Sequence, residues 1–227
     1  MDDERPLFIL AGNGPYANRG CEAIVLGTTK ILRGYFRDPR FICISHFKNE
    51  EQFRRQCLEE ADPAITHLQS YSLNKIKALR NFWKPETLKA IYQMVFNRDA
   101  YYTGIYADMF PSLISASAVL SVGGDNYSID YGGIPTTFTA LDDLVLSHQK
   151  PLVIWGASVG PSSAMSDYEE YMSRHLQEVS GIFARESVTI AYLESIGVTE
   201  NVYPVADPAF LMDPVRPAGI EDVLPLD

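Results

Sequence analysis

The sequence predicts an α/β domain: a Rossmann-like, mostly parallel sheet with helices on both faces. Three observations predict it. Short apolar runs alternate with longer segments of helical spacing along the chain, the order that builds parallel strands joined by crossover helices. The short runs are apolar at consecutive positions, as strands covered on both faces are. Glycine is dense where those runs end.

The elements follow in order. Residues 7–11 are a short apolar run closed by Gly12 and Gly14. Residues 23–36 have helical spacing through Ile24, Leu26, Ile31, Leu32 and Tyr35. Residues 41–45 are apolar and β-prone, and residues 50–60 are polar and helical. Residues 118–122 form a strand-type run before Gly123-Gly124; residues 136–147 are helical through Leu141, Leu144, Val145 and Leu146. Residues 152–155 are a strand ending at Gly156, residues 167–179 a helix, and residues 181–184 a short strand. Ser187 is read as the cap of a helix that reaches Ser195 and stops at Gly197, a favourable residue just past a helix end. Residues 201–205 are the last strand expected. The core strands are expected at 7–11, 41–45, 118–122, 152–155 and 181–184.

Residues 74–98 break this rhythm. They hold Lys75, Lys77, Arg80, Lys84, Lys89 and Arg98 against Glu86, with Phe82, Trp83, Tyr92 and Phe96 interleaved. Two helices near the mouth of the cleft are expected, the second starting with Pro85 at its first position. Such a stretch can make a peripheral contact with a membrane surface or an anionic polymer, or can be a solvated helix pair with an inward aromatic stripe.

Composition bounds the function. With 227 residues, 46% hydrophobic and 21% charged, the chain is globular and neither disordered nor collagen-like. Nineteen basic against 29 acidic residues give a net charge of −10, which excludes nucleic-acid binding through a general basic surface but leaves room for a local anion pocket. Residues 1–6 lack the regions of a secretory leader. No run approaches the about 18 apolar residues of a membrane span. Cys21, Cys43 and Cys57 fit neither a disulfide framework nor a zinc site. A reducing, cytoplasmic setting is expected, with contact at the inner membrane surface through residues 74–98.

In open parallel sheets ligands bind at the carboxyl ends of the strands. Those ends are Gly12-Asn13-Gly14-Pro15, Ser45-His46, Gly123-Gly124-Asp125-Asn126, the segment from Gly156 to Pro161, Arg185-Glu186 and Asp207-Pro208. Glycines there admit a ligand to the backbone, or merely turn the chain. Gly12-x-Gly14-x-x-Ala17 formally matches a dinucleotide fingerprint but is set aside: Pro15 interrupts it, its helix is expected only after Gly20, and the next strand ends at Ser45-His46 without a ribose-binding carboxylate. A P-loop and an esterase-type serine elbow are also set aside. His46, His67, His148 and His175 form no metal-type pair; His46 sits at a strand end, as a cleft residue or an ordinary surface histidine. Asp125, Asp130 and Asp207 lie at or near strand ends, where caps and turns also use aspartate. No metal site is expected.

Several segments together resemble the polysaccharide pyruvyl transferase family. They are Asn13-Gly14 with Asn18-Arg19-Gly20-Cys21-Glu22-Ala23, Gly123-Gly124-Asp125 after an apolar strand, and the run from Trp155 to Pro161. Ala184-Arg185-Glu186-Ser187 followed by Gly197-Val198 is similar to the family's helix start, although Ser187 directly follows Glu186 here. Asp207-Pro208-Ala209-Phe210-Leu211 resembles its strand end. The resemblance runs over residues 8–212.

The resemblance implies a glycosyltransferase-B-like architecture of two Rossmann-like domains with a cleft between them. Residues 1–213 correspond to the N-terminal domain, and the proline-rich residues 214–227 to a linker towards a C-terminal domain outside this chain. The implied activity transfers pyruvyl from phosphoenolpyruvate to two sugar hydroxyls as a ketal. The acceptor is a cell-surface polysaccharide or a lipid-linked precursor, and no cofactor is needed. The general-acid histidine and part of the donor site are implied to lie in the second half, so the catalytic residue is not assigned here. The donor carries a carboxylate and a phosphate, which arginines and helix N-termini suit. Arg185, Arg19, Ser158 and Gly160 are the expected donor contacts. Asn13, Asn18, Gly123, Gly124, Asp125, Asn126 and His46 are expected along the acceptor side of one continuous cleft. Arg185 has a competing structural role as the ion-pair partner of Glu186 or Asp207. A nucleotide-sugar glycosyltransferase and a non-catalytic binding domain of the same fold are the alternatives.

Overall fold

Five of the strands form where the sequence is continuously apolar, because a strand buried on both faces has no polar side to show. In the computed structural model, which describes residues 5–71, 78–79, 81–129, 134–213 and 219, seven strands make one sheet. They are β1 (Leu7–Asn13), β2 (Arg40–Ser45), β3 (Ile65–Gln69), β4 (Ala118–Val122), β5 (Leu152–Ala157), β6 (Gly181–Ala184) and β7 (Val202–Pro204). Their order is β3-β2-β1-β4-β5-β6-β7, and every neighbouring pair is parallel. This is a doubly wound, Rossmann-like sheet whose strand order reverses between β1 and β4.

The helices include α1 (Arg19–Tyr35), α2 (Glu50–Glu59), α3 (Pro85–Phe96), α4 (Arg98–Ile105), the single turn α5 (Phe110–Leu113), α6 (Thr136–Ser147), α7 (Ser166–Glu178) and α8 (Ser187–Ser195). Alternate residues of β1 feed two cores. Leu7, Ile9 and Ala11 pack with Ile105 of α4, Leu141 and Val145 of α6, Met172 and Leu176 of α7 and Leu193 of α8. Phe8 and Leu10 pack with Ile24, Val25 and Leu32 of α1. Helices therefore cover both faces.

Several bounds differ from the sequence reading. α1 begins at Arg19, not at residue 23, because the Asn18 side chain accepts from the Gly20 amide and caps the helix; its first turn carries no apolar repeat and hydrophobic spacing cannot see it. Glu186, not Ser187, takes the cap position of α8. β3 was not expected: it is an edge strand with one paired neighbour, β2, and its sequence Ile-Thr-His-Leu-Gln is half polar. α4 was not expected either. α3 starts at Pro85 as predicted. Lys75, Lys77, Arg80, Asp130 and, apart from residue 219, the stretch 214–227 lie outside the described residues.

After β7 the chain makes a 3-10 turn, Pro208–Leu211, capped by Asp207. The turn lies against α1 at Gly27: a β-carbon there would stand 2.6 Å from the Pro208 carbonyl carbon and closer still to its oxygen. On the other side Pro208 presses on Gly156 of β5, where an added β-carbon would meet its Cδ at 2.6 Å. Trp155 of β5 donates its indole N–H to Thr28 Oγ1 of α1 at 3.0 Å. α1, the end of β5 and the turn thus form one packed unit that fixes where Asp207 stands.

Candidate functional site

The reversal of strand order opens the crevice in which such sheets bind ligands. Here one side chain bridges it. Asn126 Nδ2 donates to the carbonyls of Gly12, at 3.2 Å, and Val122, at 3.0 Å, tying the loops after β1 and β4 together. Gly12 and Gly123 have φ of +88° and +142°, and a β-carbon on either would strike the Asn126 amide, at 2.8 and 2.5 Å. These glycines make room for a bridge inside the protein.

A second cluster gathers at the ends of β4, β5 and β6. Arg185 follows β6. Its Nη1 donates to Asp207 Oδ2 at 2.6 Å, its Nε donates to Ser158 Oγ at 3.3 Å, and Glu186 Oε1 lies 3.5 Å from Nε. Nη2 would touch a β-carbon on Gly124 at 2.9 Å, so Gly124 is what lets the guanidinium lie flat against the β4 loop. The Ser158 amide donates to the Gly124 carbonyl at 2.7 Å, holding the β4 and β5 loops at a fixed spacing. The Arg185 and Asp207 side chains are 20% and 23% exposed, so the guanidinium is held but still reachable. Asp207 is fixed in turn by accepting from the Ala209 amide at 2.8 Å. Both structural partners foreseen for Arg185 are present, while Nη2 makes no hydrogen bond among the described residues. α8 starts beside it, and Glu186 at its cap makes no side-chain cap bond, which leaves first-turn amides and the positive end of the helix dipole at the same spot. Chemically this is a place for a small anion bound end-on to an anchored arginine.

The other expected residues are spread along the same edge of the sheet. Asn13 is buried and its Nδ2 donates to the Cys21 carbonyl at 2.8 Å, while its Oδ1 has no hydrogen-bond partner among the described residues. Asn18 is spent on the α1 cap. Arg19 is exposed and pairs with Glu22 at 2.6 Å, which raises its pKa; it lines a cleft of about 460 Å³ between α1 and α2, together with Tyr16, Gln52, Gln56 and Glu60, away from Arg185. His46 is exposed, with Nδ1 3.3 Å from the Ser70 carbonyl. Asp125 is exposed in the β4 loop. Gly160 faces inward: its β-carbon would run into the Tyr192 ring of α8, 2.7 Å from Cζ and closer to the ring edge. Of the expected set, Gly124, Ser158 and Arg185 converge.

Residues 156–160 spell Gly-x-Ser-x-Gly, so the pattern an esterase elbow needs is present in the sequence. The elbow is ruled out on geometry: Ser158 Oγ accepts from Arg185 instead of facing a histidine, and the next helix starts only at Ser166. Among the described residues no group of three His, Cys, Asp or Glu could hold a metal ion.

Sequence reasoning missed a buried polar chain beneath the β4 loop. The Tyr127 hydroxyl lies 2.8 Å from Ser121 Oγ and donates to Asp142 Oδ1 at 2.9 Å. Asp142 Oδ2 accepts from His175 Nε2 at 3.1 Å. Burial raises the Asp142 pKa against the pull of its hydrogen bonds from His175 and Tyr127. Burial also draws His175 down, but the hydrogen bond and charge of Asp142 overcome it and leave the histidine raised. Tyr127 is pushed well above the ordinary tyrosine range by burial and then by Asp142. This chain holds the loop in place: Tyr127 pairs with Val159 as an isolated parallel bridge, and its carbonyl accepts from the Gly160 amide at 3.3 Å. The only sequence signal was an aspartate on the apolar stripe of α6.

The family model described as polysaccharide pyruvyl transferase matches residues 18–226. No curated protein matches the chain. Among solved structures, Medicago truncatula UGT71G1 complexed with UDP-glucose is similar at 10% identity and a TM-score of 0.46, with 93% of this chain and 53% of that chain covered. The chain thus spans about half the length of that structure.

Proposed function

The chain belongs to the polysaccharide pyruvyl transferase family, and from that premise we propose that it contributes the donor-binding half of an enzyme that moves pyruvyl from phosphoenolpyruvate onto a sugar. The observation that carries the proposal is the family match over nearly the whole chain. The reaction, in this reading, protonates C3 of the enol, lets one sugar hydroxyl add at C2, expels phosphate, and closes the ketal with a second hydroxyl. Of the two hydroxyl protons, one ends in the new methyl group and one on phosphate. The donor brings two anionic groups and needs fixed positive charge. Arg185, oriented by Asp207 and Ser158 and set beside the start of α8, fits one of them. Arg19 is reassigned to the α1–α2 cleft, on the acceptor side with Asn13, Asn18 and His46. The proton for C3 calls for a general acid, which this reading leaves to the implied second half. The acceptor is a sugar or a lipid-linked oligosaccharide, and the setting is cytoplasmic.

The test is turnover by the full-length protein with phosphoenolpyruvate and candidate glycans. Release of inorganic phosphate should require both substrates, and a ketal methyl signal should appear in the NMR spectrum of the product. A protein that ignores phosphoenolpyruvate but transfers sugar from a nucleotide sugar would overturn the proposal.

A further inference from the structure

α3 is amphipathic with its apolar stripe turned outward. Thr87 is buried, and Ala90 and Ile91 are half-buried on the side that meets the fold. On the opposite side Leu88, Tyr92, Val95 and Phe96 are 55%, 62%, 60% and 73% exposed. At 3.6 residues per turn these four fall within an arc about 100° wide. The Tyr92 and Phe96 rings lie 5.0 Å apart and form an aromatic patch within the stripe. The turn before the helix exposes Phe82 and Trp83, with ring centroids 5.4 Å apart. A water-soluble surface does not carry so much contiguous apolar area without a use for it.

Charge identifies what covers this face. Lys89 borders the stripe in the helical projection, Lys84 stands at its head and Arg98 just past its foot, all three exposed. In residues 81–98 the one acidic residue is Glu86, which projects away from the stripe. The chain as a whole carries −10, so this basic rim stands out against the overall charge, around a helix whose apolar side is exposed. Apolar and aromatic side chains rimmed by lysine and arginine match the interface of an anionic bilayer. A second copy docked face to face would set the same cations against each other, and a polyanion without an apolar layer would leave the stripe uncovered.

We propose that the outer face of α3 and the turn before it dock on an anionic lipid leaflet, with Leu88, Tyr92 and Phe96 entering the headgroup boundary and Lys84, Lys89 and Arg98 meeting lipid phosphates. The docking does not depend on the donor chemistry.

Vesicle flotation of the full-length protein tests this, with phosphatidylcholine vesicles with or without phosphatidylglycerol. Flotation is expected with the anionic vesicles alone, and raised salt should weaken it. Tyr92→Ser with Phe96→Ser should reduce the bound fraction at least about tenfold, and so should Lys84→Glu with Lys89→Glu. All four side chains are exposed, so melting temperatures should hold, and Arg54→Glu with Arg55→Glu on α2 should float as the parent does. No flotation of the parent protein, or equal flotation of every variant, overturns the proposal. So does a dimer, seen by light scattering, that the α3 changes dissolve without any vesicle binding; the face would then be a protein interface.

Discussion

Replacing Gly27 by alanine sets local propensity against tertiary packing. Gly27 lies inside α1, where Gly→Ala normally stabilises a helix by about 1 kcal/mol. The new methyl, however, would stand 2.6 Å from the Pro208 carbonyl carbon, with the Ala209 amide nitrogen at 3.4 Å. The obstacle is backbone, which cannot swing aside as a side chain does. Overpacking of this kind costs about 1–3 kcal/mol, and a wall of main chain puts Gly27→Ala at the upper end. The net loss is then about 1–2 kcal/mol, a fall in Tm of about 2–8 °C for a domain of this size. Because the 3-10 turn must retreat, Asp207 retreats with it and Arg185 loses its 2.6 Å partner. Any thermal stabilisation by phosphoenolpyruvate should therefore shrink in the same variant. Gly34, later in α1, is the control: nothing lies within 4 Å of its added β-carbon, so Gly34→Ala should be neutral or stabilising by up to about 1 kcal/mol. Differential scanning calorimetry of the two variants decides. If Gly27→Ala raises Tm as Gly34→Ala does, the turn does not pack against α1 as described and the account of how Asp207 is placed fails.

Asp207→Asn keeps the cap acceptor for Ala209 and removes the charge facing Arg185, so it should lower stability by about 1–3 kcal/mol, measured by urea denaturation; no change would mean the pair is idle. Arg185→Ala in the full-length enzyme should cost about 2–4 kcal/mol in kcat/KM, with Arg185→Lys raising the apparent donor constant; wild-type turnover by the alanine variant would remove Arg185 from the donor site. His175 has a folded-state pKa raised above 6.5, so its contribution is complete below that value and is lost as pH rises through the raised one. Asp142 is raised too, which gives the same sign. Tm should thus decline as pH rises above 6.5, and the double variant Asp142→Asn, His175→Gln should flatten that decline; an unchanged slope would show that the pair does not titrate there. Thr28→Val deprives the Trp155 indole of its acceptor and should cost about 1 kcal/mol, visible as a lower urea midpoint at constant m-value.

The linear sequence by itself determined the fold class and six of the seven strands, all but β3. A strand enclosed by helices must be apolar at every position, and that leaves a mark needing no partner to interpret. It also determined the start of α3, because proline at a first helical position acts locally, and it marked Gly124, Ser158 and Arg185 as strand-end residues. Tertiary structure decided the rest. β3 is a strand because β2 offers it an edge, since Thr66, His67 and Gln69 carry no apolar run. Asn126 read as a cleft residue until the Gly12 and Val122 carbonyls were found around its amide. Arg19 and Arg185 look alike in sequence, each just before or within the first turn of a helix that follows a strand, yet one lies in solvent against Glu22 and the other is anchored by an aspartate 22 positions away. Asp142 and His175, 33 positions apart, form a buried pair that no spacing rule joins. Pairings of this kind depend on which helices the sheet sets side by side, and strand order, unlike apolar periodicity, is written nowhere in the local sequence.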